Sequence, residues 1–294
     1  MNARIRESLR LGRCGPISRT LARNAAALPV PGSDLVAFGL LGYPRHGPVE
    51  VDVERDGFRW SLDLRDNAHR LLYLGLYEPD LLNRAMALLP VGGSFVDVGS
   101  NVGFWTLPAA RRAGPQGSVI SLEPNPWALR KLRTNIERNA DRQLAPIRVE
   151  EAAVGAAAGT VTLHSNDLEA GASQATLHPA GTELAGEQVE VRLTTLDEVT
   201  EQIDLLKIDV EGHELGVLAG AERLFSQAPP AHIVIEIQDE VLLRAGASAE
   251  ALASRLEALG YIPVDGDGRL GKGTVARPLA PGFFETVIWR HAGR

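Results

Sequence analysis

The stretch Leu205-Leu-Lys-Ile-Asp-Val-Glu-Gly-His-Glu214 alternates apolar and ionisable side chains. If it forms a β-strand, Lys207, Asp209 and Glu211 project to one face and the apolar residues to the other. A central parallel strand is normally apolar on both faces, and an isolated buried charge costs on the order of several kcal/mol. The charged groups therefore need partners. One interpretation is a structural ion network in which Lys207 pairs with Asp209, Glu211 or Glu236.

Ligands of α/β proteins usually bind at the carboxyl ends of the strands, and ionisable residues gather at that end here. His213 is a candidate general base because imidazole accepts a proton near neutral pH. Asp209 or Glu211 could take the proton instead or orient the imidazole, and Lys207 completes the candidate catalytic set. A second interpretation makes His213 an exposed residue at a helix start. Asp209, Glu211 and Glu214 could together hold a magnesium ion, but we expect no metal.

A glycine loop, Phe95-Val-Asp-Val-Gly-Ser-Asn-Val-Gly103, is the second feature with chemical potential. Gly99 and Gly103 allow the backbone to pass close to a ligand, because no Cβ stands in the way. The dinucleotide fingerprint G-x-G-x-x-G contains a further glycine that this loop lacks. Asp97 would repel a phosphate but complements a positively charged sulfonium. The loop therefore favours a sulfonium cofactor, S-adenosylmethionine, over a dinucleotide.

An acidic residue ends the next apolar run, Val119-Ile-Ser-Leu-Glu123, and is followed by Pro124-Asn125-Pro126. A carboxylate at this place can accept both ribose hydroxyl protons, so Glu123 is the candidate ribose ligand. Alone, such a residue is more often a solvated carboxylate or a helix cap. Together with the glycine loop at this spacing, it points more specifically to a nucleoside.

Apolar runs that alternate with helical patterns predict the elements that position these residues. The predicted strands are Phe95–Val98, Val119–Leu122, Ile147–Val149, Leu205–Val210, Ile233–Ile237 and Phe283–Trp289. The predicted helices are Val102–Arg112, Pro126–Asn139, Glu214–Phe225 and Ala249–Leu259. This alternation is typical of a parallel sheet with helices on both faces. The segment Asn166–Gln188 is long for a structureless loop, and such loops are often lids or binding elements.

The part before the first glycine loop has a different pattern. Two alternating runs around Asp56-Gly57 predict a β-hairpin, and helical spacing follows from Leu71 to Leu89 with a break at Pro79. An arginine-rich start precedes them, which we interpret as a surface helix or frayed tail. We therefore predict an N-terminal extension at 1–90 and a main α/β domain at 91–294.

Composition limits the class of partner. The chain has 294 residues, 45% of them hydrophobic, and a formal net charge of −7. The negative charge argues against nucleic acid as a partner, and the lack of a long apolar run argues against a membrane span. Cys14 is the single cysteine, which excludes an internal disulfide and is compatible with a cytoplasmic location. We expect a small-molecule or glycan acceptor, while the oligomeric state is not predicted.

Taken together, the motifs resemble the FkbM-type methyltransferases, a branch of the class I S-adenosylmethionine-dependent enzymes. The matching blocks occur in the family's order: Gly75-Leu-Tyr-Glu-Pro79, Phe95-Val-Asp-Val-Gly-Ser-Asn-Val-Gly-Phe104, Ser121-Leu-Glu-Pro-Asn-Pro126, Ala152-Ala-Val-Gly155, Thr194-Thr-Leu-Asp-Glu198 and Leu206-Lys-Ile-Asp-Val-Glu-Gly-His-Glu214. The resemblance implies a Rossmann-like fold with a seven-stranded, mostly parallel sheet and an antiparallel last hairpin. It also implies O-methylation of a sugar, polyketide or lipid-linked saccharide hydroxyl.

The resemblance also assigns cofactor contacts by position. The glycine loop would line the methionine portion of the cofactor, and Glu123 would hold the ribose. The adenine would lie near the start of the segment after the next strand, and residues of the extension would close the site. The residues concerned are Asp97, Gly99, Asn101, Gly103, Glu123, Asn125, Glu151, Ala152, Tyr77, Glu78 and Asp209. Ser100 and His213 stand where the family pattern more often has small residues.

Other classes of function remain open from the sequence. A nucleotide-dependent oxidoreductase is disfavoured by the glycine spacing and by Asp97. A non-catalytic binding module would keep the same fold, but the joint presence of Asp97, Glu123 and the acidic strand makes a degenerate site less expected. Methylation of RNA or protein is a third alternative, which the acidic balance disfavours for RNA.

Overall fold

The computed structural model describes residues 15–28, 30, 32–42, 49–165, 175–178, 186–264 and 284–293. Residues 1–14 and most of the predicted lid at Asn166–Gln188 lie outside these ranges. The predicted extension contains, in chain order, α1 (Pro16–Ala26), α2 (Ser33–Leu41), β1 (Glu50–Arg55), β2 (Phe58–Asp63), α3 (Asn67–Leu74) and α4 (Pro79–Leu88). No helix in the described ranges is both long and apolar enough to cross a membrane.

The predicted hairpin is confirmed, since β1 and β2 pair antiparallel around Asp56-Gly57. The helical spacing predicted from Leu71 to Leu89, with a break at Pro79, corresponds to two helices, α3 and α4. Helix α3 begins after Asp66, whose carboxylate accepts the backbone N–H of Ala68 at 2.8 Å. The helix ends at Gly75, whose left-handed φ of 77° a residue with a side chain adopts only at a cost. A new helix then starts at Pro79, because proline needs no N–H partner in a first turn.

The other elements make up the main domain. They are β3 (Ser94–Val98), α5 (Thr106–Ala113), β4 (Ser118–Leu122), α6 (Pro126–Arg138), β5 (Ile147–Glu150), β6 (Ala153–Val154), β7 (Gly159–Ser165), β8 (Glu187–Thr194), α7 (Leu196–Val199), β9 (Leu205–Ile208), α8 (Glu214–Ala219), α9 (Glu222–Gln227), β10 (His232–Gln238), α10 (Asp239–Arg244), α11 (Ala249–Ala258), β11 (Tyr261–Val264) and β12 (Phe284–His291).

Seven strands form the central sheet in the order β11-β12-β10-β9-β3-β4-β5. The strands from β10 to β5 run parallel, and β12 is antiparallel to both of its neighbours. The two faces of β9 enter separate apolar clusters: Leu206 and Ile208 pack with α8, α9 and α11, while Leu205 packs with α4 and α5. Helices therefore cover both faces, which confirms the predicted class I α/β architecture.

The chain between β5 and α7 forms a second, three-stranded sheet in the order β6-β8-β7. The runs Val161–Leu163 and Val189–Leu193, between which Asn166–Gln188 lies, form parts of β7 and β8 in this smaller sheet, which was not predicted. Leu163 is buried against Ala153 and Val191. Residues 175–178, the described piece of the predicted lid, lie between β7 and β8 in the chain, and Thr176 forms a β-bridge with His164 of β7. The small sheet therefore flanks the carboxyl ends of the central strands.

Asn135 on α6 is one of several residues that connect the extension to the main domain. Asn135 accepts the backbone N–H of Ser61 on β2 at 2.7 Å and donates to the Val102 carbonyl at 3.0 Å. Both contacts are buried, where each hydrogen bond left unmade would cost about 1–3 kcal/mol. One side chain thereby fixes the hairpin, α6 and the glycine loop relative to each other.

Several predicted boundaries were wrong for identifiable reasons. Strand β9 ends at Ile208 instead of Val210, because the Val210 amide turns toward the Glu214 carboxylate and leaves the ladder. Helix α5 begins at Thr106 instead of Val102, since Gly103 has a φ of 93° that no α-helix contains.

Two further elements differ from the prediction. The helix predicted at Glu214–Phe225 is broken at Gly220, where a Cβ would lie 2.0 Å from the Gly155 carbonyl oxygen. The edge strand β11 was not predicted, because the run Tyr261–Val264 contains Pro263 and alternates too weakly. Neither difference displaces the strand ends that carry the candidate site.

Candidate active site

A cavity opens at the carboxyl ends of β3, β4, β9 and β10. The extension supplies one wall and the small sheet another. Its lining contains many of the predicted site residues: Tyr77, Gly99, Asn101, Glu123, Ala152, Lys207, Asp209, Glu211 and His213. A cavity at this end of the sheet is the usual place for the ligand of an α/β protein.

The glycines of the loop are needed for packing as well as for access. Gly99 has a φ of 79°, and a Cβ on it would lie 1.8 Å from the Asp209 carbonyl oxygen. Gly103 lies outside the cavity lining, and a Cβ on it would meet the Leu132 side chain at 2.8 Å. Two neighbouring elements, the chain after β9 and helix α6, therefore require these glycines independently of any ligand.

Glu123 is held by fixed donors. Its carboxylate accepts the backbone N–H of Asn101 at 2.8 Å on one oxygen and that of Asn125 at 2.9 Å on the other. Burial raises the pKa of Glu123 to about 7, although both amides favour the charged form. Each oxygen keeps a second lone pair. The carboxylate can therefore still accept hydroxyl protons from a ligand in the cavity.

Of three further residues predicted to contact the cofactor, Asn125, Glu151 and Ala152, only Ala152 is part of the cavity lining. The Asn125 side chain caps α6 by accepting the Trp127 N–H at 2.9 Å. The exposed Glu151 side chain pairs with Arg133, whereas its neighbour Ala152 is buried and lines the cavity.

The two residues predicted to close the site from the extension lie in different surroundings. Tyr77 lines the cavity and packs edge-on against Phe104, with ring centroids 4.5 Å apart. Glu78 lies outside the lining, and its carboxylate accepts the Thr286 hydroxyl at 2.9 Å. Only Tyr77 of this pair therefore reaches the cavity.

Lys207 takes part in the ion network that the sequence suggested. Its ammonium donates to the Gly99 carbonyl at 2.8 Å and lies 3.2 Å from Asp209 and 3.6 Å from the fully buried Asp97. Burial opposes the charge, but the two carboxylates outweigh it and raise the pKa of Lys207 to about 12. Asp97 also accepts the Thr106 hydroxyl at 2.7 Å. Lys207 thus connects the glycine loop to the acidic residues after β9.

Three carboxylates meet at the other end of the cavity. Oxygens of Asp209, Glu211 and Glu236 lie within 4.8 Å of one another, close enough to bind one cation or to raise each other's pKa. Burial and the Asp209 charge raise the pKa of Glu211 to about 8 and also raise that of Glu236. Within the described ranges, no hydrogen-bond donor reaches the side chain of Glu211 or Glu236. We call these three residues the carboxylate cluster.

The carboxylates that lie together are not the three that the sequence offered as an alternative magnesium site. Glu214 is not part of the carboxylate cluster, because its carboxylate accepts the backbone N–H of Gly212 at 3.1 Å and that of Val210 at 3.4 Å. It closes the turn that begins α8. The third carboxylate comes from Glu236, on the neighbouring strand β10.

His213 has little freedom to act as a base. Its Nδ1 lies 2.8 Å from Nε2 of His178, and its Nε2 packs against Gly155 and Gly216. Burial and the neighbouring imidazole lower the pKa of His213 to about 4. A base with such a pKa holds few protons near neutral pH. The geometry therefore favours the carboxylate cluster over His213 for proton acceptance.

Backbone strain is concentrated at the same site. Among the described residues, four that are not glycine have a positive φ: Asp56 in the hairpin turn, Glu78, Asn101 and Glu211. Such conformations cost about 1–3 kcal/mol each and persist where the surrounding structure imposes them. The last three residues all belong to the predicted site.

Sequence reasoning missed two features of the lining. His69 of α3 lines the cavity, but no pattern in the sequence links this part of the extension to the glycine loop. Glu236 was considered only as a partner for Lys207. Its signal was present, since it is a lone acid within the apolar run His232–Gln238. A buried acid next to the acidic strand can be identified from such a pattern.

Comparison with solved structures gives distant likenesses. TYW2 of M. jannaschii, crystallised with AdoMet, is 15% identical, with a TM-score of 0.41 over 83% of this chain and 86% of that one. Trm5b of Pyrococcus abyssi is 15% identical, with a TM-score of 0.43 over 83% of this chain and 56% of that one.

Curated relatives are more similar in sequence. AMB antimetabolite synthetase AmbE of Pseudomonas aeruginosa is 27% identical over 282 residues, which cover 82% of this chain and 13% of the synthetase. Methyltransferase sdnD of Sordaria araneosa is 29% identical over 167 residues, which cover 47% of this chain and 63% of sdnD. The chain thus spans less than two thirds of either relative.

The family comparison covers the site itself. Residues 97–263, more than half of the chain, match the methyltransferase FkbM domain. The match begins at Asp97 and includes the glycine loop, Glu123 and the carboxylate cluster. The chain therefore belongs to the FkbM methyltransferase family, whose cofactor is S-adenosylmethionine.

Proposed function

We propose that this chain transfers a methyl group from S-adenosylmethionine to a hydroxyl of a small molecule or glycan. The observation that carries the proposal is the carboxylate cluster, which faces the same cavity as the glycine loop and Glu123. The loop end has the features of a nucleoside site, and the acidic end has groups that take up protons. Methyl transfer from S-adenosylmethionine to a hydroxyl needs both a nucleoside site for the donor and a proton-accepting group for the hydroxyl.

The cofactor would lie across the loop end of the cavity. Glu123 would accept the ribose hydroxyls, and Ala152 would lie along the adenine. Gly99 and Asn101 would line the methionine portion, with Tyr77 over it from the extension. The sulfonium then lies toward the carboxylate cluster, whose negative charge complements it.

Proton removal is the task of the acidic end. A hydroxyl that attacks the methyl carbon in line must lose its proton as the new C–O bond forms. Glu211, with its pKa near 8, is a stronger base than an ordinary carboxylate and still ionises near physiological pH. Asp209 stays beside Lys207 and keeps the cluster charged. We assign Glu211, supported by Asp209, as the proton acceptor.

The acceptor class follows from charge and from the relatives. The net charge of −7 disfavours a polyanion such as RNA. One relative is an antimetabolite synthetase, which supports a role in the biosynthesis of a specialised small molecule. We propose a neutral or cationic acceptor with several hydroxyls, because Glu236, whose pKa burial raises to about 10, can donate a hydrogen bond to one hydroxyl while Glu211 accepts the proton of another.

A methyl-transfer assay tests the proposal. The chain is incubated with methyl-tritiated S-adenosylmethionine and panels of sugars, polyketides and amines, and the labelled product is identified by mass spectrometry. We expect label in an alkali-stable methyl ether. Label in an amine or in an alkali-labile ester would contradict hydroxyl methylation.

Variants separate the candidate bases in the same assay. We expect E211Q to lower turnover about 100-fold, within the usual range for general-base loss, and H213N to lower it less than about fivefold. The conservative H213N keeps a polar atom near His178. Equal losses in both variants would contradict the assignment of Glu211 and restore His213 as the base.

A further inference from the structure

His69 is a buried histidine of the extension that reaches the cavity. It is 1% exposed, lies in the second half-turn of α3 and lines the cavity with Tyr77 and Asn101. Its ring stacks on Trp127 of α6, with centroids 5.4 Å apart and planes 17° from parallel. The ring is therefore held in one orientation by the main domain.

The tautomer of His69 follows from its contact with β2. The backbone N–H of Asp63 donates to Nδ1 at 3.1 Å. Nδ1 is also 3.1 Å from the Asp63 carbonyl oxygen, but the amide proton is fixed and requires an acceptor at Nδ1. The ring proton therefore lies on Nε2. That atom is buried and has no hydrogen-bond partner within the described ranges, although a buried polar group without one is costly.

The other ammonium or imidazole groups in the cavity lining are enclosed by neighbouring residues of the chain. Among the described lining residues, three carry an ammonium or imidazole: His69, Lys207 and His213. Lys207 contacts Gly99, Asp97 and Asp209, and His213 is paired with His178 on one side and packed on the other. Nε2 of His213 also has no hydrogen-bond partner among the described residues, but it packs against Gly155 and Gly216. We therefore assign the ligand contact to Nε2 of His69.

We infer that His69 binds the carboxylate of the cofactor's methionine portion through its Nε2–H. This inference rests on the proposed use of S-adenosylmethionine. The cofactor has one anionic group, which the carboxylate cluster repels and an unpaired N–H attracts. Binding there places the carboxylate against the extension and the sulfonium toward the acids. The extension then completes the cofactor site from outside the segment 97–263 that matches the family.

Two ligands separate a contact to the methionine tail from any other role of His69. S-adenosylhomocysteine has the tail, and 5′-methylthioadenosine has the same nucleoside without it. Isothermal calorimetry with both ligands is carried out on the wild-type chain, H69N and H69Q. Asparagine keeps an acceptor for the Asp63 amide but loses the Nε2 donor, whereas glutamine places an NH₂ near the Nε2 position.

We expect H69N to lower the affinity for S-adenosylhomocysteine roughly 10-fold or more, which is the usual effect of losing a hydrogen bond to a charged group. The affinity for methylthioadenosine should fall less than about twofold. H69Q should recover most of the affinity. Equal weakening of both ligands, or no weakening of either, would overturn the inference. A wild-type chain that binds neither ligand would overturn the cofactor assignment itself. Retained methylthioadenosine binding by H69N shows that the variant is folded.

Discussion

The two ends of the cavity hold their carboxylates in different ways. Glu123 at the loop end has a backbone N–H on each oxygen, at 2.8 and 2.9 Å. Glu211 and Glu236 at the acidic end have no hydrogen-bond donor to their side chains within the described residues, and their charges oppose each other. Fixed donors position a group for binding. Burial, together with repulsion between the carboxylates, raises the pKa values of Glu211 and Glu236, so the acidic end is suited to holding and moving protons.

Lys207 makes these two ends depend on each other. Its ammonium contacts the Gly99 carbonyl of the loop end and Asp209 of the acidic end, and it also faces the buried Asp97. Separating the functions of the two ends experimentally therefore requires variants that leave Lys207 in place. Removing Lys207 should affect both ends at once.

Replacing Lys207 should have the largest effect. K207M leaves Asp97 and Asp209 without their counter-charge, and breaking a buried pair in this way costs about 3–5 kcal/mol of unfolding free energy. K131M is the matched control, because the partner of Lys131, Glu50, has a side chain that is 60% exposed. We expect K131M to cost about 1 kcal/mol or less. Urea denaturation measures both values, and similar losses would contradict a central role for Lys207.

Loss of the proposed base should come next. E211Q should lower turnover about 100-fold, equivalent to about 2.7 kcal/mol, and leave the affinity for S-adenosylhomocysteine unchanged. E190Q, which changes an exposed glutamate of β8, controls for the loss of one negative charge. If turnover and affinity both fall in E211Q, cofactor binding and proton acceptance are not separated between the two ends.

The pH dependence of stability should show a smaller effect of the same group. The folded chain raises the pKa of Glu211 from 4.5 to about 8, so it favours the protonated form. The stability this contributes is complete below pH 4.5 and is lost as the pH rises toward 8. The melting temperature of E211Q relative to wild type should therefore rise between pH 5 and 8 and then level off. A difference that does not vary with pH would contradict the raised pKa.

Much of the fold could be predicted because the sheet has strong local signals. The apolar runs of β3, β4 and β10 are bounded by glycine, proline or acidic residues, and each was placed within one or two residues. The end of β9 was misplaced because the signal is tertiary: the Val210 amide is taken by the side chain of Glu214, four residues later. Periodicity alone does not reveal such a bond.

The candidate site was predictable only in part for a related reason. Glu123 and Asp209 follow strands, so topology places them at the same sheet edge. His69 comes from an element whose position depends on Asn135 and Asp63, and no spacing in the sequence encodes that contact. The role of His213 depended on which atoms surround its ring, and these come from Gly155, Gly216 and the described piece of the lid.

The central claim is that one end of the cavity binds the cofactor and the other serves the acceptor. Calorimetric titration of S-adenosylhomocysteine into wild type, E123Q and E211Q tests it most directly. E123Q presents an amide NH₂ to one of two backbone donors, and we predict that it weakens binding about 10-fold or more. We predict a change of less than about twofold for E211Q. Equal weakening in both variants, or none in E123Q, would contradict this division of the cavity.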